Sequence, residues 1–282
     1  VLDRNAGELT QRDYELFRQL VYEKSGIDLG HQKQQLVRAR LGKRLRSGRF
    51  GSYRAYYEYV KNDETGSELC SLIDAISTNT THLFREKQHF DFLGSTLRHW
   101  LADQHWRTRH PVLRIWSAGC SSGEEPYSIA MTVEDILGVS HAVDWKILAT
   151  DISTKVLDTA RAGIYELHRL GTVPDTMRRR HFVRCGQDRG LMQVHPRLRS
   201  RITFARFNLM TERFPFKYGF HFVFCRNVMI YFDRPTQAGL VRRFTEHILP
   251  GGFLVTGHSE SLNALQHELT YVRPTIYCKG DD

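Results

Sequence analysis

The stretch IWSAGCSSGEEPYS, Ile115 to Ser128, passes from an apolar strand pattern through a turn of small residues into a helix pattern. The apolar run from Val112 to Trp116 gives way to small residues from Ser117 to Gly123, then to two carboxylates, Glu124 and Glu125, and a proline. Helical spacing follows at Ile129, Ala130, Val133, Ile136 and Leu137. A unit of this kind lets a ligand lie against bare backbone at the C-terminal edge of a parallel sheet. Phosphate binders present amide N–H groups and often a lysine there, whereas Glu124 and Glu125 would repel a pyrophosphate. A cationic ligand fits better, and S-adenosylmethionine carries both an ammonium and a sulfonium.

Outward from this unit the pattern alternates. Apolar runs predict strands at Val112–Trp116, Trp145–Thr150, Ile202–Phe207, Phe220–Cys225 and Gly252–Thr256. Helices are predicted at Gln88–Gln104, Pro126–Leu137, Ser153–Ala162 and Pro235–Leu249, the last stopped by Pro250-Gly251-Gly252. Such alternation implies an α/β fold with a mainly parallel, doubly wound, Rossmann-like sheet. Glu268–Val272 and Thr275–Lys279, joined by Arg273-Pro274, read as an antiparallel terminal hairpin. By fold-level analogy that is the plan of class I methyltransferases. Between Tyr165 and Ser200, Phe182–Cys185 and Leu191–Val194 flank a turn at Arg184–Gly190, which predicts an inserted small β-subdomain over about 165–200. Residues 1–85 read as a helical unit, and 86–282 as the α/β domain. Thr10 caps a first helix that Gly26 ends, a second runs from Gln32 to Arg46, and shorter ones cover Tyr53–Val60 and Glu68–Ile76.

The 282 residues, 41% hydrophobic and 25% charged, are ordinary for a folded globular chain. No apolar stretch approaches the ~20 residues that span a bilayer, and VLDRNAGELT carries no signal-peptide pattern. Five scattered cysteines without a CxxC pair argue against a disulfide framework or zinc cage, so a reducing cytoplasm is expected. The net charge of +9 is concentrated in two runs. No acid interrupts Leu29 to Tyr57, where Lys33, Arg40, Lys43 and Arg44 fall within a sector of about 100° on the second helix. A second run spans Arg169 to Arg201. Either run alone is also what a solvated helix face looks like; together they predict an acidic partner, nucleic acid or protein.

Several residues could carry chemistry. Asp151 directly follows the second predicted strand, WKILAT, where an acid hydrogen-bonds ribose hydroxyls or simply caps the following helix. Asn208 ends ITFARF and could read an adenine edge or close a turn. Asn227 and Tyr231 lie just past a buried strand, at the sheet edge where ligands bind. Asn79, Thr81 and Arg85, in STNTTHLFRE at the junction of the two regions, are the groups an interdomain cleft would gather; a helix cap and a surface arginine are the plainer alternative. Gly257-His258-Ser259-Glu260 is a further loop candidate. Cys120 and Cys225 read as inert buried thiols, and the fourteen histidines offer no metal-ligand spacing, so no metal site is assigned.

STNTTHLFRE, IWSAGCSSGEEPYSIAM, ATDIS, FNLM, FCRNVMIYFD and LPGGFLVTGHSES occur in that order, and together they resemble the CheR family of chemoreceptor glutamate methyltransferases over nearly the whole chain. The resemblance implies a class I S-adenosylmethionine-dependent fold after a small helical domain. By motif, Asn79, Thr81 and Arg85 would line the cofactor pocket, Glu124 would bind the methionine ammonium, and Asp151 the ribose. Asn208 and Leu209 would frame the adenine, with Asn227 and Val228 behind the cofactor. Arg85 and Tyr231 would face the transferring methyl. Lys33, Arg40, Lys43 and Arg44 would dock on the receptor's methylation region, and the second basic run is a candidate surface for a regulatory protein. Some members hold a receptor C-terminal pentapeptide through a glycine-rich loop of the β-subdomain. Here that loop reads RCGQDRG, shorter and less glycine-rich, which leaves tethering open.

The implied reaction moves a methyl from sulfonium to a glutamate carboxylate. With a pKa of about 4.3 that carboxylate is already ionised, so no general base is needed. A nucleic-acid methyltransferase is the rival for so basic a chain. An amino-group methylase would carry an Asn/Asp-Pro-Pro-aromatic turn where Asn227 is followed by Val-Met, and a cytosine C5 enzyme a Pro-Cys where Phe224 precedes Cys225. A catalytically silent cofactor-binding module is the rival of another class, and intact Arg85, Glu124, Asp151 and Tyr231 speak against it.

Overall fold

The computed structural model describes residues 8–48, 50–77, 79–138, 143–186 and 190–281. Arg49 of the first basic run, and Gln187 to Arg189 of the RCGQDRG loop, lie outside the described residues. Among the described residues, four α-helices come first: α1 (Gln11–Ser25), α2 (Gln34–Gly48), α3 (Tyr53–Asn62) and α4 (Ser67–Ile76). Thr10 accepts the Asp13 N–H at the start of α1, and Gly26, at φ 72°, ends it in the left-handed region. Their apolar faces close on a core in which Tyr14, Phe17, Val37, Leu41, Leu45 and Tyr56 are fully buried.

The α/β region begins with α5 (Gln88–Ala102) and α6 (Gln104–Arg109). α5 ends two residues short of the predicted Gln104, because Asp103 leaves the helical conformation; it accepts the His105 N–H and so caps α6, a short helix outside the predicted elements. The chain continues through β1 (Val112–Ala118), α7 (Glu124–Leu137), β2 (Asp144–Asp151), α8 (Thr154–Ala162), β3 (Ile164–Glu166), α9 (Asp175–His181), β4 (Phe182–Arg184) and β5 (Leu191–Val194). It ends with α10 (Pro196–Arg199), β6 (Ile202–Arg206), β7 (Phe220–Cys225), α11 (Arg234–His247), β8 (Ile248–Thr256), β9 (Thr270–Arg273) and β10 (Ile276–Cys278).

Seven strands form one sheet in the order β6-β2-β1-β7-β8-β10-β9, parallel except for the terminal hairpin, and β3-β5-β4 form a small antiparallel sheet between α8 and β6. Parallel register sets Ser117 beside both Ala149 and Phe224, and Phe224 beside Val255, so the C-terminal ends of β2, β1, β7 and β8 share one edge. This is the class I methyltransferase fold. α11 stops at His247, two residues before the predicted end; Ile248 to Gly252 already belong to β8. Pro250 is tolerated there because the pairing slips between Phe220 and Phe222, leaving an irregularity where no ladder N–H is required. Among the described residues, no helix is long and apolar enough to cross a membrane.

Candidate cofactor and methyl-transfer site

The loop between β1 and α7 lies tight against its neighbours. Gly119 sits at φ 88°, and a Cβ there would stand 2.3 Å from Val228; Gly123 sits at φ 97°, with Ala160 and the Tyr165 hydroxyl 2.9 Å from such a Cβ. Only glycine meets both the conformation and the clearance. The Gly119 and Cys120 N–H groups each donate to the Thr150 carbonyl at 2.8 Å, and Ser121 N–H donates to Asp151 Oδ2 at 2.9 Å. Asp151 also accepts the Ser153 N–H at 3.0 Å, so it caps the approach to α8 and anchors the glycine loop together. Burial pushes its carboxyl above the ordinary range.

A cavity opens where this loop meets the four-helix unit. Its lining gathers Asn79, Thr81, Arg85, Asp151, Asn208, Leu209, Asn227, Val228 and Tyr231. Of the five described non-glycine residues at positive φ, Phe84, Glu86, Ser121 and Asn227 are on this lining or next to it, which concentrates backbone strain at the site. The Asn208 amide is half used: Nδ2 donates to the Lys24 carbonyl at 2.7 Å, and Oδ1 accepts the Met210 N–H at 3.0 Å. One hydrogen and one lone pair remain.

Glu124 is the predicted cofactor residue that the structure does not bring to the cavity. It is 1% exposed, accepts from Ser122 Oγ at 2.7 Å and pairs with Arg169, which arrives from the segment after β3. Glu125 lines the cavity instead. Its carboxylate takes the Ser117 hydroxyl at 2.7 Å and Arg226 Nη1 at 3.0 Å. Burial raises the Glu125 carboxyl pKa, against the pull of Arg226 and Ser117.

Sequence reasoning also missed Arg226 and Glu86. Arg226 directly follows β7, its side chain is 2% exposed, and it pairs with Glu86 at 3.1 Å as well as with Glu125. Glu260 holds the next turn: its carboxylate accepts the N–H groups of Asn227 at 2.7 Å, Gly257 at 2.6 Å and Ile230 at 3.1 Å. Arg85 Nη1 donates to the Thr80 carbonyl at 3.1 Å, and among the described residues no carboxylate pairs with its guanidinium. Glu86, His89 and His258 bring possible metal-ligand atoms within 4.8 Å of one another, but Arg226 already neutralises that carboxylate. Burial pushes the Cys120 and Cys225 thiols well above their ordinary value, so neither is a ready nucleophile.

The predicted basic stripe is divided: the α-helix starts at Gln34, so Lys33 falls in the 3-10 turn before α2, and neighbours claim two of the arginines. Lys33 reaches the cavity lining, 6.0 Å from the Tyr231 ring, and Lys43 is exposed. Arg40 is turned inward to the carbonyls of Ile76 and Ser77 at the end of α4. Arg44 makes a forked pair with Glu68, Nε–Oε1 2.7 Å and Nη2–Oε2 2.5 Å, and the Tyr56 hydroxyl adds a third bond. Burial acts to raise the Glu68 carboxyl, but Arg44 and Tyr56 outweigh it and hold it below the ordinary range. Arg44→Ala is therefore expected to lower the stability of the helical unit by about 3 kcal/mol, because it strands a mostly buried carboxylate. Lys43→Ala should leave stability within about 0.5 kcal/mol. Urea denaturation of the two variants separates these outcomes.

Residues 12–77 match the all-alpha domain of CheR methyltransferases, and residues 79–278 match the SAM-binding domain of the same family. The chemotaxis protein methyltransferase of Salmonella typhimurium is 38% identical over 265 residues, covering 94% of this chain and 88% of the relative. Chemotaxis protein methyltransferase 2 of Pseudomonas aeruginosa is 40% identical over 269 residues, covering 95% and 93%. The Escherichia coli chemotaxis protein methyltransferase is 37% identical over 275 residues, covering 97% and 93%.

Proposed function

Because the chain belongs to the CheR family of S-adenosylmethionine-dependent methyltransferases that act in chemotaxis, we propose that its acceptors are glutamate carboxylates of chemoreceptors, converted to γ-glutamyl methyl esters. The observation that carries this reading is the lining itself. Arg85, unpaired with any carboxylate among the described residues, and Tyr231 share one cavity with Glu125 and Asp151.

The residues suit the cofactor. Glu125 offers a carboxylate for the methionine ammonium, Asp151 an acceptor for the ribose hydroxyls, and Asn208 and Leu209 an edge and a face for adenine. Bound S-adenosylmethionine supplies an electrophilic methyl on sulfonium. Arg85 holds the acceptor carboxylate by charge-assisted hydrogen bonds, and Tyr231 orients the attacking oxygen. Alignment and exclusion of water do the rest, since the acceptor arrives ionised. Lys33, in the turn before α2 and at the cavity, and exposed Lys43 on α2 are the parts of the stripe left to meet an acidic receptor surface.

Receptor-rich membranes incubated with the enzyme and methyl-tritiated S-adenosylmethionine, then treated with base, test the acceptor. A carboxyl ester releases volatile labelled methanol. Label that survives base overturns the glutamate assignment, and label recovered in nucleic acid selects the rival.

A further inference from the structure

We propose that Arg226 is a positioning residue for methyl transfer: one guanidinium fixes the Glu125 carboxylate at the cofactor end of the cavity and the Arg85 main chain at the acceptor end. The proposal rests on the roles given above to Glu125 and Arg85.

Arg226 Nη1 meets Glu125 Oε2 at 3.0 Å, while Nη2 meets Glu86 Oε2 at 3.1 Å and donates to the Arg85 carbonyl. Its guanidinium also lies 5.5 Å over the Phe90 ring. The Arg85 turn needs such support. Phe84 and Glu86, on either side of Arg85, sit at φ 54° and 56°, a region that bulky residues occupy only when their surroundings impose it. Ser128 Oγ takes the Phe84 N–H at 2.9 Å, and Arg226 holds the other side of the turn through the Arg85 carbonyl and the Glu86 carboxylate. A guanidinium spans these acceptors because its donors diverge in a fixed fork; an ammonium is a single point.

The same contact governs the charge of Glu125. The groups facing that carboxylate are Arg226 after β7, Glu86 before α5, the Ser117 hydroxyl on β1, and the thiols of Cys120 and Cys225, which burial keeps neutral. Burial and Glu86 push the Glu125 carboxyl pKa up, and Arg226 is the cation that opposes them. A protonated Glu125 cannot pair with the methionine ammonium. Without Arg226, cofactor affinity is therefore lost as pH falls through the raised Glu125 pKa and returns as pH rises.

The test uses Arg226→Met combined with Glu86→Gln, which removes one charge of each sign, alongside Arg226→Lys and Glu125→Gln. Calorimetry with S-adenosylhomocysteine between about pH 6.5 and 8.5 gives affinity, and labelled transfer gives kcat and KM. The wild-type affinity is expected to stay flat. The double variant should bind at least about tenfold more weakly at the acid end and recover toward the alkaline end. Arg226→Lys should keep the flat profile and the KM for S-adenosylmethionine but lose kcat by about tenfold, because the Arg85 carbonyl goes unheld. A folded double variant with a flat, wild-type profile, or Arg226→Lys with wild-type kcat, overturns the proposal. Glu125→Gln separates the two layers. If it weakens binding, the ammonium reading stands and Arg226 is judged on its own variants; if it binds like wild type, that reading falls first.

Discussion

Arg85→Ala is expected to lower kcat by about 10²–10³-fold while changing S-adenosylhomocysteine affinity only a few-fold. The asymmetry follows from where the charge sits. An ionised glutamate is a weak nucleophile whose reaction depends on being held in line, dry and close. Burying that carboxylate at the cavity costs hydration, and Arg85 is a cation on the lining whose planar fork can replace it without breaking an ion pair to any carboxylate among the described residues. Arg85→Lys should recover only a small part of the lost rate, since an ammonium cannot fix the plane of the carboxylate. Tyr231→Phe, which keeps the ring and removes one hydroxyl, should cost about tenfold in kcat. Labelled transfer to receptor-rich membranes measures both rates. Wild-type turnover by a folded Arg85→Ala enzyme with intact cofactor affinity would remove Arg85 from the chemistry.

Much of this site was legible because sheet geometry carries it. Asp151 closes β2, Asn208 and Asn227 follow the ends of β6 and β7, and parallel strands deliver their C-terminal ends to one edge whatever the side chains do. What escaped depends on phase and on distant partners. Consecutive helical residues point about 100° apart, so a helix expected to begin at Pro126 says nothing about which of Glu124 and Glu125 faces the cavity. α7 starts at Glu124, and the two acids diverge. Helical periodicity treats the basic stripe as if its helix stood alone; Glu68 and the last carbonyls of α4 claim Arg44 and Arg40. Arg226 lies within FCRNVMIYFD, yet its partners are 101 and 140 residues away in sequence, beyond any local spacing rule.

The two glutamates of the GEEP turn should therefore fail in different ways. Glu125→Gln is expected to weaken S-adenosylmethionine binding about 100-fold, since a buried carboxylate facing an ammonium is replaced by a neutral amide. The unliganded protein should hardly suffer, because Glu86 still neutralises Arg226 when Glu125 is lost. Glu124→Gln should do the reverse. Its carboxylate is 1% exposed and holds Arg169 and the Ser122 hydroxyl, so the amide loses a charged partner inside the protein at a cost of about 1–3 kcal/mol in stability. Cofactor affinity should fall only a few-fold, through the slackened glycine loop that Glu124 shares with Ser122. Melting temperatures without ligand, set beside calorimetric affinities, resolve the pair. If Glu124→Gln were the variant that lost cofactor and kept its stability, the ammonium would belong to Glu124, and Arg169 rather than Arg226 would be the cation beside it.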